Sequence, residues 1–174
     1  MAANWTDFVA NTVLTASQLN GVLDNFQDVA IFREEQANNT DGGGFTSGSY
    51  VKRVLNTTVV NNITGCSIAS SVITLPAGTF AVTGFATAQE CGRNKCRIQN
   101  MTASTTLQIG NNNFANTTDG ASVATVNTVF TLASASTIEL QHRCGNTKAS
   151  NGLGLSSGFS DAEVYSSIII TRIQ

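Results

Sequence analysis

The sequence predicts a mainly β protein: a single antiparallel sandwich of the jelly-roll type, preceded by an N-terminal arm and one amphipathic helix. Three observations support this. The chain has 174 residues, the length of one domain of roughly 150 residues with an appendage. Apolar residues recur at helical spacing only within residues 1–37. From Tyr50 onward, short runs rich in Val, Ile, Thr and Phe alternate with Asn, Gly and Ser, as in strands joined by turns.

The predicted helix covers residues 16–34. Thr15 is placed as its N-cap, and Gln18 three residues later completes a capping box. Gly21 and Asn25 weaken the helix, and an isolated helix of this length is marginal in water, so its apolar face requires a cover. That face comprises Leu19, Val22, Leu23, Phe26, Val29 and Ala30.

The segment before the helix carries large apolar side chains but is too short to build a core. Burying a large apolar side chain contributes roughly 1.5–3 kcal/mol, so docking onto another protein is the favoured interpretation. Folding back onto the protein's own sandwich is the alternative. The residues predicted to attach the chain to a partner are Trp5, Phe8, Leu14, Leu19, Val22, Leu23 and Phe26.

Residues 38–49 are predicted to form a flexible linker, because they consist of turn-forming residues without periodicity. Their three consecutive glycines, 42–44, are not followed by the Gly-Lys-Ser/Thr of a phosphate-binding loop. Residues 50–174 are predicted to form the jelly-roll domain. The strands expected there lie near residues 50–56, 66–69, 72–75, 79–88, 95–101, 106–109, 123–133, 137–143, 152–156 and 163–173.

Composition narrows the functional classes. Charged residues make up 11% of the chain, against a usual share of about 25%, and 41% of the residues are apolar, which favours a packed core over disorder. The net charge of −2 gives little basis for binding nucleic acid. With one His and dispersed carboxylates, we expect neither an enzyme nor a cofactor.

No targeting or membrane-spanning segment is expected. Residues 1–13 contain no Lys or Arg, and polar residues interrupt their apolar positions, unlike a signal peptide. No apolar run approaches the roughly 20 residues that a membrane helix requires. We therefore expect a protein that stays where it is made and does not insert into a membrane.

The four cysteines are open to three interpretations. Without export, reduced thiols in ordinary strands are the default. If residues 91–96 form a hairpin turn, a disulfide between Cys91 and Cys96 is geometrically plausible. A zinc site that adds His142 and Cys144 is the third interpretation, although these spacings are not those of the common zinc motifs.

Two groups of polar residues are candidates for surface contacts. Arg93, Lys95 and Arg97 alternate along a predicted strand and should project to one side of it. A solvated face and a contact with a receptor or capsid surface both fit this pattern. A lone His near the end of a strand, such as His142, is more often a structural residue than a catalytic one. The alternative is that it contacts Arg97, Arg143 or Glu139 from neighbouring strands at a subunit interface.

One segment resembles a known family of jelly rolls. Residues 75–82, Leu-Pro-Ala-Gly-Thr-Phe-Ala-Val, have a Pro-x-Gly-x-aromatic pattern. This pattern resembles the opening of a long core strand in the globular heads of complement first-component and tumour-necrosis-factor-like proteins.

More of the chain is similar to small structural proteins of tailed bacteriophages. The N-terminal Trp-Thr-Asp-Phe at 5–8, followed by residues 13–20, resembles the attachment segment of many phage tail-fibre and tail-accessory proteins. The similar segments further along, in order, are residues 45–50, 53–57, 95–100, 138–143, 152–154 and 163–165.

The resemblance implies a homotrimeric jelly roll on the outside of a virion, made in the host cytoplasm and anchored to the tail, collar or baseplate by its N-terminus. Two alternatives remain: a capsid decoration (cement) protein, and a module that binds a host receptor or glycan through its loops. The expected partners are copies of the chain and other virion proteins. The residues assigned to subunit or surface contacts are Arg97, His142, Arg143 and Tyr165.

Overall fold

The structure, a computed structural model, describes Thr15 and residues 28–173. Within them, twelve strands form two antiparallel sheets, and no helix long and apolar enough to cross a membrane is found in this part of the chain. In chain order the strands are β1 (Val29–Gln36), β2 (Val51–Lys52), β3 (Thr57–Asn61), β4 (Ser67–Ala69), β5 (Val72–Leu75), β6 (Gly78–Gln89), β7 (Gly92–Asn100), β8 (Thr105–Ile109), β9 (Asn113–Ala115), β10 (Ala121–Leu132), β11 (Ser136–Cys144) and β12 (Glu163–Arg172).

The first sheet has the strand order β10-β6-β12-β1-β3, and the second has the order β4-β5-β11-β7-β8. In the second sheet, β2 also pairs with β11 and β9 pairs with β7. The strands β1 and β12, which lie at opposite ends of the described chain, are neighbours in the first sheet. The predicted antiparallel sandwich is therefore confirmed.

The core lies between the two sheets. Alternate residues of each long strand point into it, as the two-residue period of a strand requires. Phe80 and Val82 of β6 are buried, whereas Ala81 and Thr83 between them face outward. The fully buried apolar side chains of the core include Ala30, Phe32, Ile73, Leu75, Phe80, Ile98, Ile138, Leu140, Ile168 and Ile170.

The predicted helix is wrong from Val29 onward, because these residues form β1, between β12 and β3. Ala30, Phe32 and Glu34 alternate into the interior with no exposed surface. Val29 and Ala30 fit a helical period as well as a strand period, so the local pattern could not separate the two. Residues 16–27, with the rest of the predicted helix, lie outside the described residues.

Residues 38–49 have an irregular backbone, but they do not form a free linker. Phe45 is 1% exposed, and its N–H and carbonyl bond to the backbone of Lys148 at 2.8 and 2.9 Å. A Cβ on Gly44 would lie 2.3 Å from the carbonyl oxygen of Ala149, so only glycine fits there. The sandwich domain therefore begins at β1. Residues 38–49 belong to it, because the side chain of Phe45 is buried in it.

Other differences from the predicted strands concern short elements. Residues 152–156 form no strand, and the stretch predicted at 50–56 contains only β2. The strands β3 and β9 were not predicted. Both are short and partly exposed, and β3 ends in Asn61, so neither carries a clear apolar alternation.

Candidate functional site

A groove of about 1050 Å³ lies on the outer side of the second sheet. Its floor is formed by the first half of β7 and the end of β11, and its walls are formed by the segment before β2 and by the loop that leads into β9. The residues that line it are Ser47, Gly48, Tyr50, Arg93, Asn94, Lys95, Asn112, Asn113, Phe114, Arg143, Cys144 and Gly145.

Three cations line this groove, and we call them the basic triad: Arg93, Lys95 and Arg143. Arg93 and Lys95 alternate along β7 and point outward, as predicted. Arg143 lies directly opposite Lys95 in the pairing of β7 with β11. No member of the triad forms an ion pair or a side-chain hydrogen bond with any residue that the structure describes. The lining residues include no carboxylate.

Two aromatic residues border the basic triad. Phe114 is 59% exposed and pairs with Arg93 across β9 and β7. Tyr50 lies under the guanidinium of Arg97, which is 4.0 Å from the centre of the ring. Arg97 also donates to Gln141 Oε1 at 2.9 Å and to Thr106 Oγ1 at 3.0 Å. The guanidinium of Arg97 is therefore occupied by contacts within the subunit, whereas the side chains of the basic triad are not paired with any described residue.

His142 lies beneath the groove and has no exposed surface. Its Nε2 is 3.2 Å from Asn94 Oδ1, and its ring packs against Phe45 with centroids 4.7 Å apart. Burial, together with the charge of Arg53, lowers the pKa of His142 to about 3. The imidazole is therefore neutral near pH 7, where it helps to hold the floor of the groove and has no access to a substrate.

The cysteines are free thiols: Cys91, Cys96 and Cys144 are buried, and Cys66 is partly buried. Of the three interpretations of the cysteines, the Cys91–Cys96 disulfide is wrong, because Gly92–Asn100 is a continuous strand instead of a hairpin turn. Five extended residues span about 17 Å, whereas a disulfide needs Cα atoms within about 7 Å. Burial raises the pKa of both thiols to about 12.

The zinc interpretation also finds no support in the described part of the chain. There, no three His, Cys, Asp or Glu side chains converge as metal ligands would. The Sγ of Cys144 instead donates to the carbonyl of Asn146 at 3.3 Å. Cys91 and Cys144 pack with Phe45, Ala88 and Ala115 in a small apolar cluster, whereas Cys96 belongs to the main core.

The structure separates the four residues assigned to subunit or surface contacts. Arg143 is exposed and Arg97 is partly exposed. His142 and Tyr165 are buried within the subunit, which contradicts a surface role for either. Tyr165 is 3% exposed and donates its hydroxyl to the carbonyl of Thr40 at 2.8 Å. All seven residues predicted to attach the chain lie outside the described residues.

A second surface feature is the outward face of the first sheet, across β10, β6, β12 and β1. Its residues follow from the register of the four strands, in rows across the sheet. The rows are Val129, Ala81, Thr171 and Val29; then Asn127, Thr83, Ile169 and Ile31; then Thr125, Phe85, Ser167 and Arg33. We call these three rows the apolar face.

The apolar face exposes large side chains that a solvated sheet normally avoids. Val129 is 62% exposed, Ile169 is 42% exposed, and Val123 at the margin is 47% exposed. Arg33 is the one charged side chain in the three rows, and it pairs with Glu35. The other polar residues of the rows are uncharged Thr, Ser and Asn, so the face combines exposed apolar side chains with small polar ones, and exposed apolar patches rimmed by polar residues are typical of interaction sites.

Comparison with known proteins identifies the fold. No family model and no curated protein matches the chain. The globular domain of zebrafish complement 1qA matches 85% of this chain and 98% of its own, with 14% identity and a TM-score of 0.53. PRD1 vertex protein P5 matches 84% of this chain and 97% of its own, with 12% identity and a TM-score of 0.54.

Murine APRIL at pH 5.0 matches 82% of this chain and 98% of its own, with 8% identity and a TM-score of 0.50. At such low identities the likeness shows the fold alone. The chain therefore shares the jelly-roll fold of these solved structures, which is the fold that the Pro-x-Gly-x-aromatic segment predicted.

Proposed function

We propose that the chain is a non-enzymatic, homotrimeric structural protein of a tailed-bacteriophage virion. Its jelly rolls associate through the apolar face, and its N-terminal arm anchors it to the tail, collar or baseplate. The observation that carries the self-association in this proposal is the apolar face, which exposes Val129 and Ile169 and has Arg33 as the one charged residue in its three rows.

Another copy of the chain is the occupant that best fits the apolar face. A face with almost no charge has little with which to select a charged partner, and identical copies present identical apolar rows. Soluble assemblies of identical chains generally close with point symmetry. The family that the sequence resembles implies three-fold closure, and a cyclic trimer would bury this face on every subunit.

The start of β1 and the groove lie at opposite ends of the sandwich, which supports attachment at one end and exposure of the other. Val29, the first residue of β1, pairs with Thr171 near the end of β12, so β1 begins and β12 ends at the same end of the sandwich. The basic triad lies at the opposite end of the sheets, close to the turn after Gln89 that joins β6 to β7. An arm that grips the particle would therefore leave the groove facing outward.

A capsid vertex is the second candidate location, and the fold match to PRD1 vertex protein P5 favours it. The same trimer would then decorate or cement the shell of the particle. The arm would reach neighbouring capsid subunits instead of a tail component.

Electron microscopy of particles labelled with antibody against the jelly roll tests the proposal. Label at the tail or baseplate supports the first location, and label at the vertices supports the second. Deleting residues 1–27 stops short of β1 and should leave a folded sandwich that no longer joins particles. Particles that incorporate the truncated protein at the normal level would contradict the role of the arm.

A further inference from the structure

We propose that the groove on the second sheet binds an acidic polysaccharide, a chain of sugar rings that carry carboxylate or sulfate groups. The inference goes beyond the structural role proposed above and does not depend on where the protein sits in a particle. It rests on the charges, the register and the side-chain chemistry of the groove.

The first step is the unbalanced charge. Facing residues of an antiparallel pair have Cβ atoms about 5 Å apart, and like charges there are destabilising. Lys95 and Arg143 face each other in this way on the same side of the sheet, and Arg93 adds a third cation. A bound anion would remove this repulsion.

The second step is that none of the residues described by the structure pairs with the basic triad. No Asp or Glu is among the described residues that line the groove. Nearby Lys148, by contrast, pairs with Glu90. Cations left in an open cleft without a counter-charge create a positive potential that attracts anionic ligands.

The third step concerns the rest of the groove, which fits sugar rings better than a free anion. At about 1050 Å³ it is far larger than a single phosphate. The exposed ring of Phe114 offers a flat apolar surface for the C–H face of a sugar. The face of an aromatic ring carries partial negative charge, which attracts the weakly positive C–H hydrogens. The exposed amide of Asn112 can both donate to and accept from hydroxyl groups.

Nucleic acid is less well matched. Three cations would give only a weak, salt-sensitive contact with a phosphate backbone. Single-stranded nucleic acid is usually held by successive stacking aromatics, and here Tyr50 is already covered by Arg97. The groove therefore offers only the ring of Phe114 for stacking among the described residues that line it.

The test titrates the full chain by calorimetry at 50 and 200 mM NaCl with four probes: polygalacturonate, dextran sulfate, neutral dextran and single-stranded DNA. We expect one or both acidic polysaccharides to bind, with at least a three-fold loss of affinity at the higher salt. Polygalacturonate alone would indicate carboxylates, and dextran sulfate alone would indicate sulfate-like groups. Binding of neither, equal binding of neutral dextran, or tighter binding of DNA would overturn the proposal.

Matched variants locate the site. The double variant Lys95→Gln/Arg143→Gln should weaken polysaccharide binding at least ten-fold. The control Lys52→Gln/Arg172→Gln removes the same charge outside the groove and should change affinity less than two-fold. Phe114→Ala should weaken binding about three-fold, whereas Phe159→Ala, at a ring that is 80% exposed outside the groove, should not.

Two further measurements keep the test decisive. Thermal melting of the double variants establishes that each is folded, and Phe114→Ala provides an independent arm that leaves the charges intact. Light scattering compares the oligomeric mass of the groove variant with that of the parent. Equal binding by both double variants, or a changed mass for the groove variant alone, would refute a polysaccharide site in this groove.

Discussion

Arg53 Nη2 lies 3.1 Å from Glu34 Oε2, and neither side chain has any surface exposed to solvent. The same nitrogen is 3.1 Å from the carbonyl oxygen of Leu153 and 3.2 Å from that of Tyr165. This one guanidinium therefore joins β1, β12 and the loop that precedes β12. It links the first strand of the sandwich to its last.

Removing one partner of this ion pair is expected to be costly. Arg53→Leu should lower the free energy of unfolding by about 3–5 kcal/mol, because it leaves the Glu34 carboxylate buried without its counter-charge. Urea unfolding of the two proteins measures the difference.

The double variant Arg53→Leu/Glu34→Leu is the control for that prediction. It should recover part of the loss, since neither charge of this buried pair remains. The hydroxyl of Thr87 lies 2.6 Å from the carbonyl oxygen of Leu153 and 3.1 Å from that of Tyr165, and its single hydrogen still serves one of the two. A single variant within about 1 kcal/mol of the parent would contradict the prediction.

The burial of His142 should make stability depend on pH. Its pKa is lowered to about 3 in the folded protein, while the unfolded chain titrates near its ordinary value of about 6.5. Between these values the unfolded state binds the extra proton. The contribution of His142 to the free energy of unfolding is therefore fully present above about pH 6.5. It decreases as the pH falls below that value, by at most about 1.4 kcal/mol per pH unit.

His142→Gln removes this titration and serves as the comparison. Since the chain has one His, the difference in unfolding free energy between parent and variant isolates its contribution. Burial raises the pKa of Glu34, which acts in the opposite sense but is present in both proteins. A difference that does not change between pH 7 and 5 would show that His142 is not buried as described.

The charge repulsion in the groove should be measurable as stability. Lys95→Gln removes one of two facing cations and should raise the free energy of unfolding by roughly 0.2–1 kcal/mol. Lys52→Gln is the control, because Lys52 Nζ donates to the carbonyl of Ser70 at 2.7 Å. The control should not be stabilised, and a loss of stability in Lys95→Gln would indicate an unrecognised internal partner for Lys95.

The long strands could be predicted from the sequence, whereas contacts that depend on how two strands are paired could not. The alternation of Phe80 and Val82 is local, so β6 could be placed within a residue or two of its bounds. The outward side of Arg93 and Lys95 was likewise evident from their spacing. That Arg143 faces Lys95 depends on how β7 pairs with β11, which nothing local determines.

The helix predicted over residues 29–34 and the Cys91–Cys96 disulfide were both wrong because they were inferred from local sequence alone. The pattern of residues 29–34 predicts a helix because so short a stretch fits both the 3.6-residue period of a helix and the two-residue period of a strand. The strand that pairs with these residues, β12, lies more than a hundred residues away along the chain, so the local sequence does not reveal it. With Glu34 placed on that helix, its buried pairing with Arg53 could not be foreseen. The Cys91–Cys96 disulfide required a turn where β7 in fact runs straight.

The apolar face leads to the last prediction, on assembly. Ile169 is 42% exposed at the centre of the face, beside Ile31 of β1. Ile169→Asp would place a charge in every copy of a buried interface, and an unpaired buried charge is strongly unfavourable. Light scattering should therefore report a trimer for the parent protein and a monomer for this variant at micromolar concentration. Ile109→Asp, at a strand position that is 54% exposed on the second sheet, should remain a trimer. A stable monomer for the parent, or dissociation by both variants alike, would contradict association through the apolar face.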